Sequence, residues 1–384
     1  MSAPVQQPAL IQPQNKINFI DHLKVVLTVL VVLHHAAITY GAPGGWYMTQ
    51  KTTLAGAIAP MTVFVAVNQS FFMGFFFFLS ALFVPLSYDK KGPRKFIADR
   101  LLRLGLPLVF YSFVLSPFLS FMPYNFTGRR DHITYAQYLA GFDGWINFGV
   151  LWFVLALLIF TLLYALYRVI TKSDIKPKPL PILSNILFFA LAIGVITYWV
   201  RIVYPVGIVI KPLGFQLGHF PQYVAMFIMG LVASRSKWIN AADLATGKKS
   251  RNIALGLVLI GMPLFFIVRA WLKYPVEAYN IGGHWPSLWY AVWEQLLGFS
   301  IVTALLCIGK NKWNGPLAFL NKLSRSAFAV YIFHPLVLIG LSVLTYEWDL
   351  EPALKFLIVG PLAVAGSFGL GLLIVRIPGV NKII

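Results

Sequence analysis

Ten apolar runs, each about the length a bilayer requires, follow one another along the chain and leave little choice of fold. They lie at 19–41, 60–87, 104–122, 146–168, 182–204, 219–234, 252–272, 286–309, 326–346 and 352–376. At about 1.5 Å per residue, a helix of roughly 20 residues crosses about 30 Å of hydrocarbon. No water is present there to satisfy a backbone N–H or C=O, so each run must pair its own backbone as a helix. The sixth run is short, and the second is long enough to tilt or to break near Gly74. The longest connections, near 123–145 and 235–251, are too short for a soluble domain. The expected architecture is all-α: a polytopic membrane protein with one transmembrane domain over 16–384, preceded by a polar, proline-rich disordered tail at 1–15.

Composition enters where surface has to be covered. Of 384 residues, 59% are hydrophobic and 11% charged, against about a quarter charged in soluble domains. So few charges cannot coat a globule in water, which excludes an ordinary cytosolic enzyme, a disordered chain and a soluble nucleic-acid binder. The net charge of +19 therefore reads as anchoring to one membrane side rather than as a nucleic-acid footprint. Lys90, Lys91, Arg94, Lys95, Arg100 and Arg103 crowd one loop, and Arg168, Lys172, Lys176 and Lys178 the next on that side. Arg235, Lys237, Lys248, Lys249 and Arg251, then Lys310, Lys312, Lys322 and Arg325, continue the series. The opposite loops hold few, such as Lys51, Arg129, Arg130 and Lys211. The rich side is expected to be cytosolic, with both termini on it. The tail lacks the basic start and apolar core of a cleavable signal. Cys307, the single cysteine, permits no intrachain disulfide and no cysteine metal cluster.

Ionisable residues inside spans are costly and mark function by default. The first run, FIDHLKVVLTVLVVLHHAAITYG, holds the densest set. At 100° per residue, Lys24 and His35 come within about 20° of one another, with Asp21, Thr28 and Thr39 on the same side and His34 roughly 80° away. The polar stripe separates Lys24 and His35 by about 16 Å along the axis. The ordinary alternatives are that Lys24 snorkels to the headgroups and His35 is a satisfied packing histidine. Glu294, in SLWYAVWEQLLGFS, comes to a depth similar to that of His35, as do Asn68, Gln69 and Trp152. A histidine and a carboxylate at one level resemble a base and its orienting partner, but depth alone leaves open a pairing of Glu294 with Arg269 or another polar residue. His334 precedes Pro335, which cannot donate a backbone hydrogen bond. It either lines the same cavity or caps a freed carbonyl. Arg100 and Arg103, spaced i,i+3 at a helix start, are expected to face the same way, and their guanidinium forks suit phosphate. No GxxxxGK[ST], HExxH or GxSxG motif is present, which disfavours ATP-driven transport, metalloproteolysis and the usual hydrolase chemistry.

The pattern resembles the acyltransferase-3 family of integral membrane O-acyltransferases, which includes bacterial glucan-modifying members. Ile20-Asp21-His22-Leu23-Lys24 followed by His35 resembles that family's first-span motif of a basic residue, ten intervening positions and a histidine. Phe76-Phe77-Phe78-Leu79-Ser80-Ala81 resembles its Phe-Phe-Leu-Ser-Gly segment, and Phe96 through Arg103 to Pro107 its paired-arginine helix start. Leu151-Trp152-Phe153 and Tyr331-Ile332-Phe333-His334-Pro335 resemble later signatures. Lys24 stands where the family usually has arginine, and Ala81 where it has glycine. With the chain stopping at Ile384, the resemblance is to the membrane-only type, without an appended esterase-like domain.

What the resemblance implies is an O-acyltransferase of the cell (inner) membrane that moves an acetyl or succinyl group from cytosolic acyl-CoA to a carbohydrate hydroxyl reached from the other side. Acyl-CoA would be a co-substrate, with no bound cofactor and no metal. Arg100 and Arg103 would hold the donor's phosphates, and the donor's arm would rise along the Lys24 stripe. His35 would act as general base or transient acyl carrier, with Asp21 or Glu294 orienting or balancing charge, and Asn68, Trp152 and His334 are assigned to substrate contact. The alternative from another class is a proton-coupled secondary transporter using intramembrane His, Glu and Lys. The two halves show no convincing internal repeat, which tells against it.

Overall fold

The structure is a computed structural model and describes residues 17–128 and 132–384. The tail at 1–15 and the basic pair Arg129 and Arg130 lie outside the described residues. Among the described residues, ten helices are long and apolar enough to cross a membrane: α1 (Asn18–Thr39), α2 (Ala55–Ala81), α3 (Val84–Phe126), α4 (Gly149–Thr171) and α5 (Leu183–Val203), then α6 (Leu217–Ser236), α7 (Leu244–Leu272), α8 (Trp285–Lys312), α9 (Ala318–Leu344) and α10 (Pro352–Ile374). The chain is thus an all-helical, multi-pass membrane protein, with no named strand among the described residues.

α2 is the hub, packing on α1, α6 and α8, while α1 lies between α9 and α10. Close approach requires small residues at the crossings. A Cβ on Gly298 of α8 would fall 1.9 Å from the Ser70 carbonyl oxygen of α2, so only glycine lets these two backbones meet. α7 sits at the periphery, with 11% of its apolar window buried inside the protein. Its remaining surface is the apolar face that hydrocarbon would cover.

Two expectations change. α2 does not break at Gly74 but runs unbroken over Ala55–Ala81; the interruption comes later, where Gly92 takes φ 70° inside α3. The expected third span, 104–122, is the inner part of a longer helix that starts at Val84 and includes the basic segment. Prolines explain how that helix survives. Stretches of π-helix at 101–105, 111–115 and 257–261 each end two residues before a proline: Pro107, Pro117 and Pro263. A proline strips the carbonyl four residues earlier of its donor, and a local widening to i→i+5 bonding re-pairs the ladder where no water can.

Candidate active site

His35 lies in the last third of α1 and meets a histidine from α9. His334 Nε2 is 3.1 Å from His35 Nδ1, and His334 Nδ1 is 2.9 Å from the Tyr331 carbonyl oxygen. Pro335 would otherwise have supplied the amide N–H to that carbonyl, four residues back. His334 therefore caps the freed carbonyl, as one of the two sequence alternatives had it, and it also faces His35. A carbonyl only accepts, so Nδ1 of His334 carries the proton. In the neutral pair, Nε2 of His334 is then an acceptor, and Nδ1–H of His35 donates to it. The lone pair of His35 Nε2 remains free.

The loop after α1 closes over this pair. Trp46 stacks on His35 with ring centroids 4.1 Å apart and planes at 21°. Its indole N–H has no hydrogen-bond partner. Tyr47 stands edge-on to Trp46 and shares a 2.8 Å hydroxyl–hydroxyl hydrogen bond with Tyr111 of α3. His34 points elsewhere, onto Phe72 of α2 at 4.9 Å, and is buried while His35 is half-buried. The stripe geometry separates the two neighbouring histidines as the helical angle requires.

Glu294 is not the partner of His35. It is buried with Arg201 of α5, Nη2 to Oε2 at 2.5 Å, and with His219 at the start of α6, Nδ1 to Oε1 at 3.3 Å. Arg201 also donates through Nε to the Gly218 carbonyl and lies over the Tyr290 ring at 5.5 Å. Neither Arg269 nor His35 supplies the counter-charge. Arg201 and His219 were missed because each sits at the edge of its span, where a basic residue ordinarily snorkels. The available signal was an uncompensated Glu294 in an apolar helix, which demands a cation without naming it.

The remaining predicted residues distribute around these two clusters. Trp152, at the start of α4, stacks on Tyr223 at 5.4 Å, and Tyr223 accepts a hydrogen bond from Gln69 at 3.0 Å. Asn68 is buried on α2, and its side-chain NH2 has no partner. Lys24 lies 3.4 Å from Asp21 and over the Phe83 ring at 5.4 Å, while Asp21 also accepts from Ser324 at 3.1 Å. Arg100 and Arg103 do not share one fork. Arg103 is exposed and bound to Asp99 at 3.1 Å, whereas Arg100 covers Phe96 at 4.9 Å with its Nε buried and unpartnered. The π turn at 101–105, imposed by Pro107, changes the register that the i,i+3 argument assumed.

The family described as an acyltransferase domain, acyltransferase-3, matches residues 17–372. The chain belongs to that family. It is a membrane acyltransferase that transfers groups other than aminoacyl groups, and this membership sets aside the secondary-transporter reading. Relatives include Glucans biosynthesis protein C of Escherichia coli K12, 22% identical over 389 residues, covering 91% of this chain and 95% of that protein. The protein of the same name from Escherichia coli O157:H7 has the same identity and coverage. No solved structure matches. In this acyltransferase, the free nitrogen of His35 is held by contacts from α1, α9 and the loop 40–54, distant in sequence and joined only by the fold.

Proposed function

We propose that this acyltransferase moves an acetyl or succinyl group from acyl-CoA to a hydroxyl of an envelope glycan, with His35 as the general base. The observation that carries the reading is the hydrogen-bond relay from Tyr331 C=O through His334 to His35, which leaves His35 Nε2 with a free lone pair. The acceptor's hydroxyl proton passes to His35 Nε2 as its oxygen attacks the thioester carbonyl. The C–S bond then breaks, and the departing thiolate takes the proton from the imidazolium. In the alternative route the same nitrogen takes the acyl group first, releasing the thiol, and passes it to the hydroxyl. His334 is a positioning residue that fixes the tautomer, and the indole stacked on His35, that of Trp46, keeps an unpartnered N–H.

Charge patterning supports a cytosolic donor, with both termini and 88–103 in the cytosol of the cell membrane. Lys24, with Asp21, stands at that end of α1, so Lys24, Arg100 and Arg103 would meet the donor's phosphates and arm as separate contacts. Asn68 and Trp152 lie on the helices that wall the interior, and Glu294 serves by holding Arg201 and His219. The glycan acceptor is supported by the relatives, whose name places them in glucan biosynthesis.

Purified protein given labelled acetyl- or succinyl-CoA and glucan oligosaccharides tests the reading, with ester formation followed by mass spectrometry. His35→Ala is expected to lower turnover by about 10²–10⁴-fold, and His34→Ala far less. Equal losses in the two variants would remove His35 from the chemistry.

A further inference from the structure

A second feature lies on the same membrane face as the end of α1, next to the loop that covers His35. It is an open cleft of about 630 Å³ lined by Tyr47, Met48 and Thr49, by Ser120, Pro123, Tyr124 and Thr127 at the end of α3, and by Tyr346 after α9. That volume is within the roughly 300–1,000 Å³ of small-molecule sites. Its walls are fixed from behind. Lys355 Nζ donates to the Thr345 and Tyr346 carbonyls at 2.9 Å each, and Gln50 donates to the Tyr346 carbonyl at 3.1 Å. The Glu351 carboxylate accepts from the Thr52 hydroxyl and from the N–H groups of Thr53 at 3.0 Å and Leu54 at 3.3 Å. The loop 40–54 and the turn between α9 and α10 are thereby stitched into one rim, so the cleft is built before any ligand arrives.

The lining states what the ligand must be. Three tyrosines come from three separate segments, with the hydroxyls of Thr49, Ser120 and Thr127 among them, and none of the described lining residues carries a formal charge. Ring faces are electron-rich and attract the weakly positive C–H face of a pyranose, while tyrosine, threonine and serine hydroxyls exchange hydrogen bonds with its hydroxyls. Among the described lining residues, a phosphate or a cationic ligand would find no counter-charge. Tyr47 connects the cleft to the reaction centre, because it lines the cleft on one side and stands edge-on to Trp46, which covers His35.

We propose that this cleft is a subsite for a neutral sugar unit of the acceptor, adjacent to the hydroxyl that reacts at His35. It rests on the reading of His35 as the transfer centre and adds the place and chemistry of acceptor recognition. The test measures binding apart from transfer, using the purified full chain and a linear glucotetraose as the probe in isothermal titration calorimetry. Wild type and His35→Ala are expected to bind alike. Thr49→Trp, an exposed position where the larger ring fills the cleft, and Tyr124→Ala, on its rim, are expected to weaken binding at least tenfold with unchanged melting temperatures. An oligogalacturonate of equal length is expected to bind more weakly than glucotetraose. Undiminished binding to Thr49→Trp, a preference for the anionic probe, or no glucotetraose binding by wild type would overturn the subsite. Failure of His35→Ala to lose ester formation would instead overturn the transfer reading, while the binding measurements still decide the cleft.

Discussion

The Arg201–Glu294–His219 cluster and the His35–His334 pair occupy the same helical bundle and both use histidine, yet they dispose of polarity in opposite ways. In the first, a guanidinium 0% exposed and a carboxylate 1% exposed cancel one another at 2.5 Å, with His219 and the Gly218 carbonyl taking other bonding positions. In the second, each hydrogen bond is used to leave something over: the freed Tyr331 carbonyl fixes His334, His334 fixes His35, and one imidazole nitrogen stays free. Charge inside a membrane is thus a poor guide to chemistry until its partners are known. The Arg201–Glu294 ion pair bridges α5 and α8, and the group proposed to react is the His35–His334 pair beside an open rim.

The comparison breaks most visibly if the ion cluster proves to be chemical. Arg201→Ala or Glu294→Ala each strands a buried charge, and each is expected to destabilise the protein by about 3–5 kcal/mol. Thermal melting in detergent measures it, and the double variant Arg201→Met with Glu294→Leu is expected to recover much of the loss. Single variants with wild-type melting and no turnover would move this cluster into the reaction. A smaller effect sharpens the other side. His334→Ala should lower kcat about 10- to 100-fold with KM for both substrates nearly unchanged, and His334→Gln, which keeps an acceptor for the His35 N–H, should restore part of it. A change confined to KM would make His334 a substrate contact instead.

The smallest effect belongs to the rim. The Thr52 hydroxyl, with the N–H groups of Ala353, Leu54 and Thr53, holds the Glu351 carboxyl below the usual carboxylate range. A depressed pKa means that this anchor is fully present at neutral pH and is lost as pH falls through the folded-state value, under the ordinary range near 4. Hydrogen exchange at Thr53 and Leu54 is expected to quicken on acidification, and Glu351→Gln to show the faster rate already at neutral pH. Exchange independent of pH in both proteins would detach Glu351 from the rim's order.

Much of this was legible in the sequence, for definite reasons. A hydrocarbon slab imposes one length and one conformation, so the ten spans and the divergence of His34 from His35 follow from apolar runs and 100° steps. Pro335 also announced its unpaired carbonyl, since that depends on a spacing of four. What could not be read was pairing across distance. His35 and His334 are 299 positions apart, and Glu294 and Arg201 93 apart, without any local pattern linking them. Depth put Glu294 level with His35 without pairing them, because depth is one coordinate of three. Arg103 escaped for another reason: its helix departs from 3.6 residues per turn where Pro107 disturbs it. The fold-back of Trp46 onto His35 depends on a loop whose course is set by Glu351 and Lys355, far along the chain.

Pro335 gives the protein something that an ordinary hydrogen-bonding residue could not. An imidazole aimed by a side chain can lose its aim when a mutation removes that side chain or a new rotamer turns it away. Here the aiming atom belongs to the main chain of the same helix, one turn back, and it is available because a ring has replaced a hydrogen. The instruction is written in two adjacent letters, His334 and Pro335. It amounts to a local device: in α9 the histidine before the proline finds its anchor in its own backbone and presents its far nitrogen to His35. The aim of that imidazole is thus set within one helix.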